Sequence, residues 1–331
     1  MAQTFSELGR IEAIKQLFEG TGYSPFGEPL WLETVQKDCV VSASGLMLEG
    51  IDFDLVYFPL KHLGRKAVLK VTGELYAVMA SPATLSVQLG VSAKLDFPQI
   101  QELWSGIAAA AKEYGYAHLS LDLQPSRNGL TIAVSATGSH GSEVSAARPK
   151  AQSKDLICVS GALGAAFLGL RVLEREKANF DGGSMDQKAL EKYKMLVGSY
   201  LRPEISPALP AQLADAKLYP SYGYFVTRGL ADAILRLCRD SALGAKVYAD
   251  RIPFEGGSFE LGREIDIDPV SAAMNGGEDY RLLYVIPLAQ YEAFRTDFQT
   301  FDIIGHLALP EAGAVLVSPD GLEHPISAQG W

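Results

Sequence analysis

Apolar residues recur along this chain with two periods, one close to a helical turn and one of two residues, and the change from one to the other marks its elements. Leu8, Ile11, Ile14, Leu17 and Phe18 fall on one helical face and predict a helix over Phe5 to Phe18, stopped by Gly20, Gly22 and Pro25. Leu32 to Val41 reads as extended, and so does Leu46 to Phe53. A loop with Pro59 then leads into a helix from His62 to Met79. Thr84 to Ser92 alternates as a strand. Asp96 is an N-cap with Pro98 in the first turn of a helix whose apolar face is Ile100, Leu103, Trp104, Ile107, Ala108 and Ala111. Strands at Tyr116 to Asp122 and Leu130 to Ala136 flank the turn PSRNG.

Gly138 to Ser153, rich in Gly, Ser, Ala and Lys, reads as a linker, so the expected domains are residues 1–147 and 148–331. Asp155 to Val159 opens the second as a short apolar strand running into SGALG, and Leu163, Phe167, Leu170 and Leu173 continue as a helix. Leu190, Tyr193, Leu196, Val197 and Tyr200 predict another, stopped by Pro203. Gly229 to Ser241 is helical. Glu255 to Pro269 reads as a glycine- and acid-rich excursion. NGGEDY, a strand from Arg281 to Ile286, a helix near Gln290 to Phe298 and short strands around Ile303 and Val315 complete the order. Strands and helices mix without strict alternation, which predicts an α+β (mixed α/β) fold rather than a Rossmann sheet.

At 331 residues the chain suits two domains by a length prior of roughly 150 residues each. A net charge of -10, with no Lys/Arg cluster, disfavours nucleic acid and anionic membrane as partners. No window reaches the roughly 18 apolar residues of a membrane span, and the N-terminal stretch has no secretory apolar run. Cys39, Cys158 and Cys238 are odd in number and far apart, as expected of free thiols in a cytoplasmic protein. The five histidines show no ligand spacing, so a zinc site is not expected.

One stretch organises the rest. EGIDFD, PLKHLGRKAV and a YA-x-x-x-x-P ending, between Leu46 and Pro82, resemble the corresponding stretch of thiamine-monophosphate kinase, in the aminoimidazole-ribonucleotide-synthetase superfamily. FSELGRIEAI, DLICVSGALGAAFLGL and MNGGEDYRLLYVIP are also similar, in the same order. The resemblance implies an N-terminal domain whose sheet pairs with that of a second subunit in a homodimer, and a C-terminal α/β domain. It also implies ATP and magnesium as cofactors and transfer of the ATP γ-phosphoryl group to thiamine monophosphate. Donor and acceptor are both anionic, so such a reaction depends on neutralising and aligning charge, the work of carboxylate-held magnesium.

The chain departs from that pattern at its acids. Where the family has GIGDD, Thr34 to Asp38 keeps the second acid, Asp38, and puts Lys37 at the first. The acid ahead of EGxHF falls at Ser44 and Gly45, and the histidine of that segment is Asp52, a substrate-binding position by resemblance. NLSD becomes Val71 to Glu74, GGDTT becomes Ser120 to Gln124 with Asp122 kept, and ISDGL becomes Val226 to Leu230 with Arg228 in place of the acid. The carboxylates that the resemblance offers a metal are therefore Asp38, Glu74 and Asp122. A cation about 4 Å from a unit charge is worth about 4 kcal/mol at an effective dielectric near 20, and a dication feels roughly twice that. Lys37 and Arg228 are thus expected to weaken or abolish magnesium binding, either by pairing with those acids or by holding a phosphate themselves.

The remaining positions carry two readings each. Gly161 and Gly164 of SGALG offer backbone N–H groups to a phosphate at a helix N-terminus, or form a tight turn. Gly276, Gly277, Glu278 and Asp279 line a substrate pocket by resemblance, or turn the chain into a strand. Arg148 aligns with an arginine near the ATP phosphates, or is a solvated linker residue. The expectation is a degenerate paralogue that retains nucleotide or thiamine phosphate binding. The alternatives are an active magnesium-ATP-dependent kinase and a structural or partner subunit that binds no small molecule.

Overall fold

Asp38 to Leu48 form one strand, β1, whose residues alternate between more and less exposed from Cys39 to Leu46, rather than the two extended pieces expected on either side of Ser42. The strand ends where Ile51 and Asp52 both donate backbone N–H bonds to Leu48 O and Gly50 turns through φ 83°. The computed structural model describes residues 16–23, 38–179 and 187–328, so most of the first expected helix and the Leu32 to Lys37 stretch lie outside the described residues. The chain divides into two units, Met1–Leu75 with Met79–Ser145 and Tyr76–Val78 with Ala146–Trp331.

The first unit holds β1, α1 (Leu60–Ala77, whose last two residues belong to the second unit), β2 (Ser81–Ser92), α2 (Phe97–Glu113), β3 (His118–Ser126), β4 (Thr131–Gly141) and the start of α3 (Ser142–Ala147). The strands form a sheet in the order β1-β4-β2-β3, antiparallel except for the β2/β3 pair. Asp96 caps α2 as expected: its side chain accepts from Gln99 N while Gln99 reaches back to Asp96 N. The helices α1 and α2 approach so closely that a Cβ on Gly64 would lie 2.2 Å from Leu103 O, and one on Gly106 would lie 2.0 Å from Lys61 O. Helix α1 covers one sheet face, with Lys70 against Gly45 and Leu75 against Gly138. The other face exposes Val40, Ser42, Ser44 and Leu46, and the register lines up Ser44, Ser135, Ser86 and Ser120 across all four strands.

The expected linker begins inside this sheet: Gly138 to Gly141 complete β4 and Ser142 starts a helix. Small and polar composition there reflects a half-exposed strand, and alternation had been read only as far as Ala136.

The second unit contains β5 (Leu156–Val159), α4 (Ala165–Ala178), α5 (Gln187–Lys192), α6 (Lys194–Leu201), α7 (Leu209–Asp215), β6 (Tyr222–Val226), α8 (Leu230–Ser241) and β7 (Gly244–Tyr248). It continues through α9 (Ser258–Ile265), α10 (Pro269–Asn275), β8 (Arg281–Ile286), α11 (Tyr291–Asp297), β9 (Asp302–Ala308), β10 (Ala314–Val317) and β11 (Glu323–Pro325). Its seven strands run in the order β11-β10-β7-β9-β5-β8-β6. Only the β7/β10 pair is parallel, which bears out the mixed α/β expectation over a Rossmann sheet.

Ile157, Val159, Val226, Leu283 and Val285 of the sheet pack on Ile234 and Leu237 of α8, while Leu168, Val172, Leu196 and Leu261 join α4 to α6 and α9. The helix expected around Leu190 to Tyr200 is broken at Tyr193 into α5 and α6. The glycine-rich excursion encloses α9, because Gly257 at φ 88° serves as its N-cap and not as a breaker. Among the described residues no helix is long and apolar enough to cross a membrane.

Candidate functional site

The three carboxylates expected to hold metal all belong to the first unit. Asp38 opens β1 opposite Gly141. Asp122 sits on β3 in the row that runs from Leu46 through Ala133 and Gln88. Leu46 is eight residues along β1 from Asp38, about 26 Å at the usual strand rise. Glu74 lies on α1, which covers the Gly45 face, whereas Asp122 shares the face of exposed Leu46. The structure therefore does not bring Glu74 and Asp122 together. Among the described residues no group of three His, Cys, Asp or Glu side chains could hold a metal ion. Lys37 and the Asp38 side chain lie outside the described residues.

The resemblance put an acid at Ser44 or Gly45 and a histidine at position 52. The Lys70 stem occupies that place: a Cβ on Gly45 would meet its Cγ and Cδ at 3.1 Å. Lys70 Nζ reaches to 3.5 Å from Asp52 Oδ1, and Asp52 Oδ2 accepts the Leu48 N–H at 2.7 Å. A half-buried ion pair thus stands beside the position where the family pattern carries an acid and this chain carries Gly45. A hard dication needs several oxygens and loses by proximity to an ammonium, so this donor set does not fit magnesium.

In the second unit β5 and β6 end, and β8 begins, at the same edge of the sheet, because β8 runs antiparallel to both. Three loops converge there: Ser160 to Gly164, Thr227 to Gly229, and Gly276 to Tyr280. The first and third are joined by Asp279, whose Oδ2 accepts from Gly164 N at 2.8 Å and whose Oδ1 accepts from Ala166 N at 3.2 Å. Asp279 is buried, and desolvation pushes its carboxyl up to about 7 even though those two amides favour the charged form. The second and third are joined by Glu278 N, which donates to Thr227 O at 2.8 Å.

Close approach decides the glycines. Gly164 has φ 74° and a Cβ there would lie 2.7 Å from Ala273 N; Gly277 has φ 77° and would place its Cβ 2.9 Å from Thr227 O. Glu278 and Tyr280 also adopt positive φ, 63° and 53°, a conformation that costs a non-glycine residue about 1–3 kcal/mol and persists where surrounding structure over-determines it.

The structure thus brings Gly161, Gly164, Gly276, Gly277, Glu278 and Asp279 together. It also assigns the Gly164 and Ala166 amides to a protein carboxylate, which leaves the tight-turn reading of SGALG as the one these bonds support. Arg228, at the second loop, is exposed and makes no ion pair with a described residue. Arg148 is half-buried and acts electrostatically on Tyr284, whose phenol burial raises well above its usual range.

Sequence reasoning passed over Arg281. Its Nε donates to Ala162 O at 3.2 Å, and its Cζ would lie 3.4 Å from a Cβ on Gly161. The signal was present, since GGEDYRL carries a cation where the family segment is GGEDYEL. Lys70 was passed over as well, and only its position opposite Gly45 reveals it.

Residues 30–140 match the family described as AIR synthase related protein, N-terminal domain. A thiamine-monophosphate kinase from Synechococcus elongatus is 28% identical over 244 residues, covering 74% of this chain and 71% of the relative. The structure of AaThiL complexed with AMPPCP and TMP superposes with a TM-score of 0.70 at 21% identity, over 96% of this chain and 98% of that one. Escherichia coli HypE, a hydrogenase maturation protein, superposes with a TM-score of 0.74 at 16% identity, over 97% and 98%.

Proposed function

Because the chain belongs to the AIR synthase-related superfamily and is thiamine-monophosphate kinase-like, we propose that it is a degenerate paralogue: it binds a phosphorylated ligand, a nucleotide or a thiamine phosphate, with weak or absent magnesium-dependent phosphoryl transfer. The observation that carries this reading is the Lys70–Asp52 pair against Gly45, which sets a cation beside the position where the family pattern carries an acid that this chain lacks. Arg228, in place of an acid, and the separation of Glu74 from Asp122 support it. The ligand class is that of the relative bound to AMPPCP and TMP.

The protein works in the cytoplasm as a homodimer through the first unit's sheet. Its exposed face, which carries Val40, Ser42, Ser44 and Leu46 on β1, is the surface on which a second sheet would pack. The experiment is a thermal melt with ATP or thiamine monophosphate in excess chelator. A ligand present at 100 times its Kd stabilises by about 2.7 kcal/mol, so a clear rise in Tm without metal is expected. A rise that appears only with magnesium contradicts the reading. The second reading, an active magnesium-ATP-dependent kinase, draws on the curated relatives that share that activity by name.

A further inference from the structure

Two arginines stand at the edge of the second unit's sheet where the three loops meet, and neither has a carboxylate within ion-pair distance among the described residues. The register fixes their neighbourhood: Arg281 on β8 is paired with Val226 on β6, and Arg228 follows Val226 by two residues. A Cβ on Gly277 would lie 3.5 Å from Arg228 Cα, so the third loop packs on the backbone that carries it. Arg281 spends one donor, Nε, on Ala162 O. A guanidinium has five donors in a planar fork suited to carboxylate or phosphate oxygens, and one bond to a carbonyl leaves most of that capacity unused.

The acids nearby are Glu278 and Asp279 of the third loop and Asp232 of α8. Asp279 accepts from the Gly164 and Ala166 amides and lies within electrostatic reach of Arg281 without an ion pair, and Asp232 pairs with Arg236 at 3.0 Å. Glu278 shares the strained turn that sets the direction of β8. Both arginines occupy positions where the resembling segments, ISDGL and GGEDYEL, carry acids, so each exchange reverses a charge at the same edge.

We infer that Arg281 and Arg228 form a subsite for a phosphate group, bound without a metal ion; this deepens the proposed function and rests on it. Arg281, braced by Ala162 O, presents its remaining N–H donors, and Arg228 adds a second charge from the neighbouring loop. Charge-assisted hydrogen bonds of this kind replace what a metal does for an anionic ligand.

The experiment is calorimetric titration of the full chain with inorganic phosphate, and separately with ATP, in excess EDTA. The parent is compared with Arg281→Gln, Arg281→Lys and Arg228→Gln. Both glutamine variants are expected to weaken phosphate and ATP binding by about tenfold or more, with partial recovery in Arg281→Lys. A merely structural brace would lower Tm without this pattern, and Arg228→Gln, at an exposed position, retains the fold and keeps the test open should Arg281→Gln unfold. Equal ATP affinity in the parent and both glutamine variants overturns the subsite and leaves the broader reading standing. A parent that binds neither probe overturns both.

Discussion

The ammonium of Lys70 lies 3.5 Å from the Asp52 carboxylate, and its stem fills the space beside Gly45. Such a filled space makes a double-mutant prediction. Gly45→Asp places new atoms against that stem and is expected to destabilise by about 1–3 kcal/mol through overpacking. Adding Lys70→Ala opens the space, so the double variant is expected to be more stable than the two single losses added together. Chemical denaturation of the four proteins measures this coupling, and strict additivity would mean that the stem does not occupy the site.

Asp279 predicts a dependence of stability on pH. Its carboxyl is raised from an ordinary 3.8 to about 7 by burial. The folded state therefore holds the proton more tightly than the unfolded chain. This contribution is fully present below about pH 4 and is lost as pH rises through about 7. Asp279→Asn cannot titrate, so the parent's stability relative to the variant is expected to be greater at pH 5 than at pH 8. A constant difference across that range would show that Asp279 does not titrate there.

Glu264 predicts the opposite sign. It accepts from Tyr193 Oη at 2.5 Å, Arg175 Nη1 at 2.7 Å and Lys192 Nζ at 3.1 Å, joining α4, the α5/α6 junction and α9. The Tyr193 hydrogen bond is the largest of the effects that hold its carboxyl down to about 2, followed by the bonds from Lys192 and Arg175. Stability from this group is present above about 4.5 and lost as pH falls through about 2. Glu264→Gln should lower Tm at pH 7, with the difference shrinking at pH 3 and in 1 M salt, because exposed pairs are screened. A Tm difference independent of both would assign the effect to packing.

Much of the fold was legible because long periodic segments announce themselves: α2, with its Asp96 cap, and β8 stand where alternation and capping put them. The five-residue strands β6 and β7 were not read. Gly257 misled, because glycine reads as a breaker until its positive φ shows it starting α9. At the site, the residues that meet in the second unit were named from motifs. The Asp279 bond to the α4 amides, Arg281 on Ala162, and Lys70 beside Gly45 all join residues far apart in sequence, and no local pattern encodes such contacts.

The most direct test of the central claim is single-turnover formation of thiamine diphosphate, with the protein in excess over thiamine monophosphate and with ATP and magnesium present, against a metal-free control. Excess protein exposes even slow chemistry. The expected result is no magnesium-dependent product while ATP or thiamine monophosphate still raises Tm in chelator. Magnesium-dependent thiamine diphosphate that tracks the purified protein would contradict the account and make the chain a working kinase.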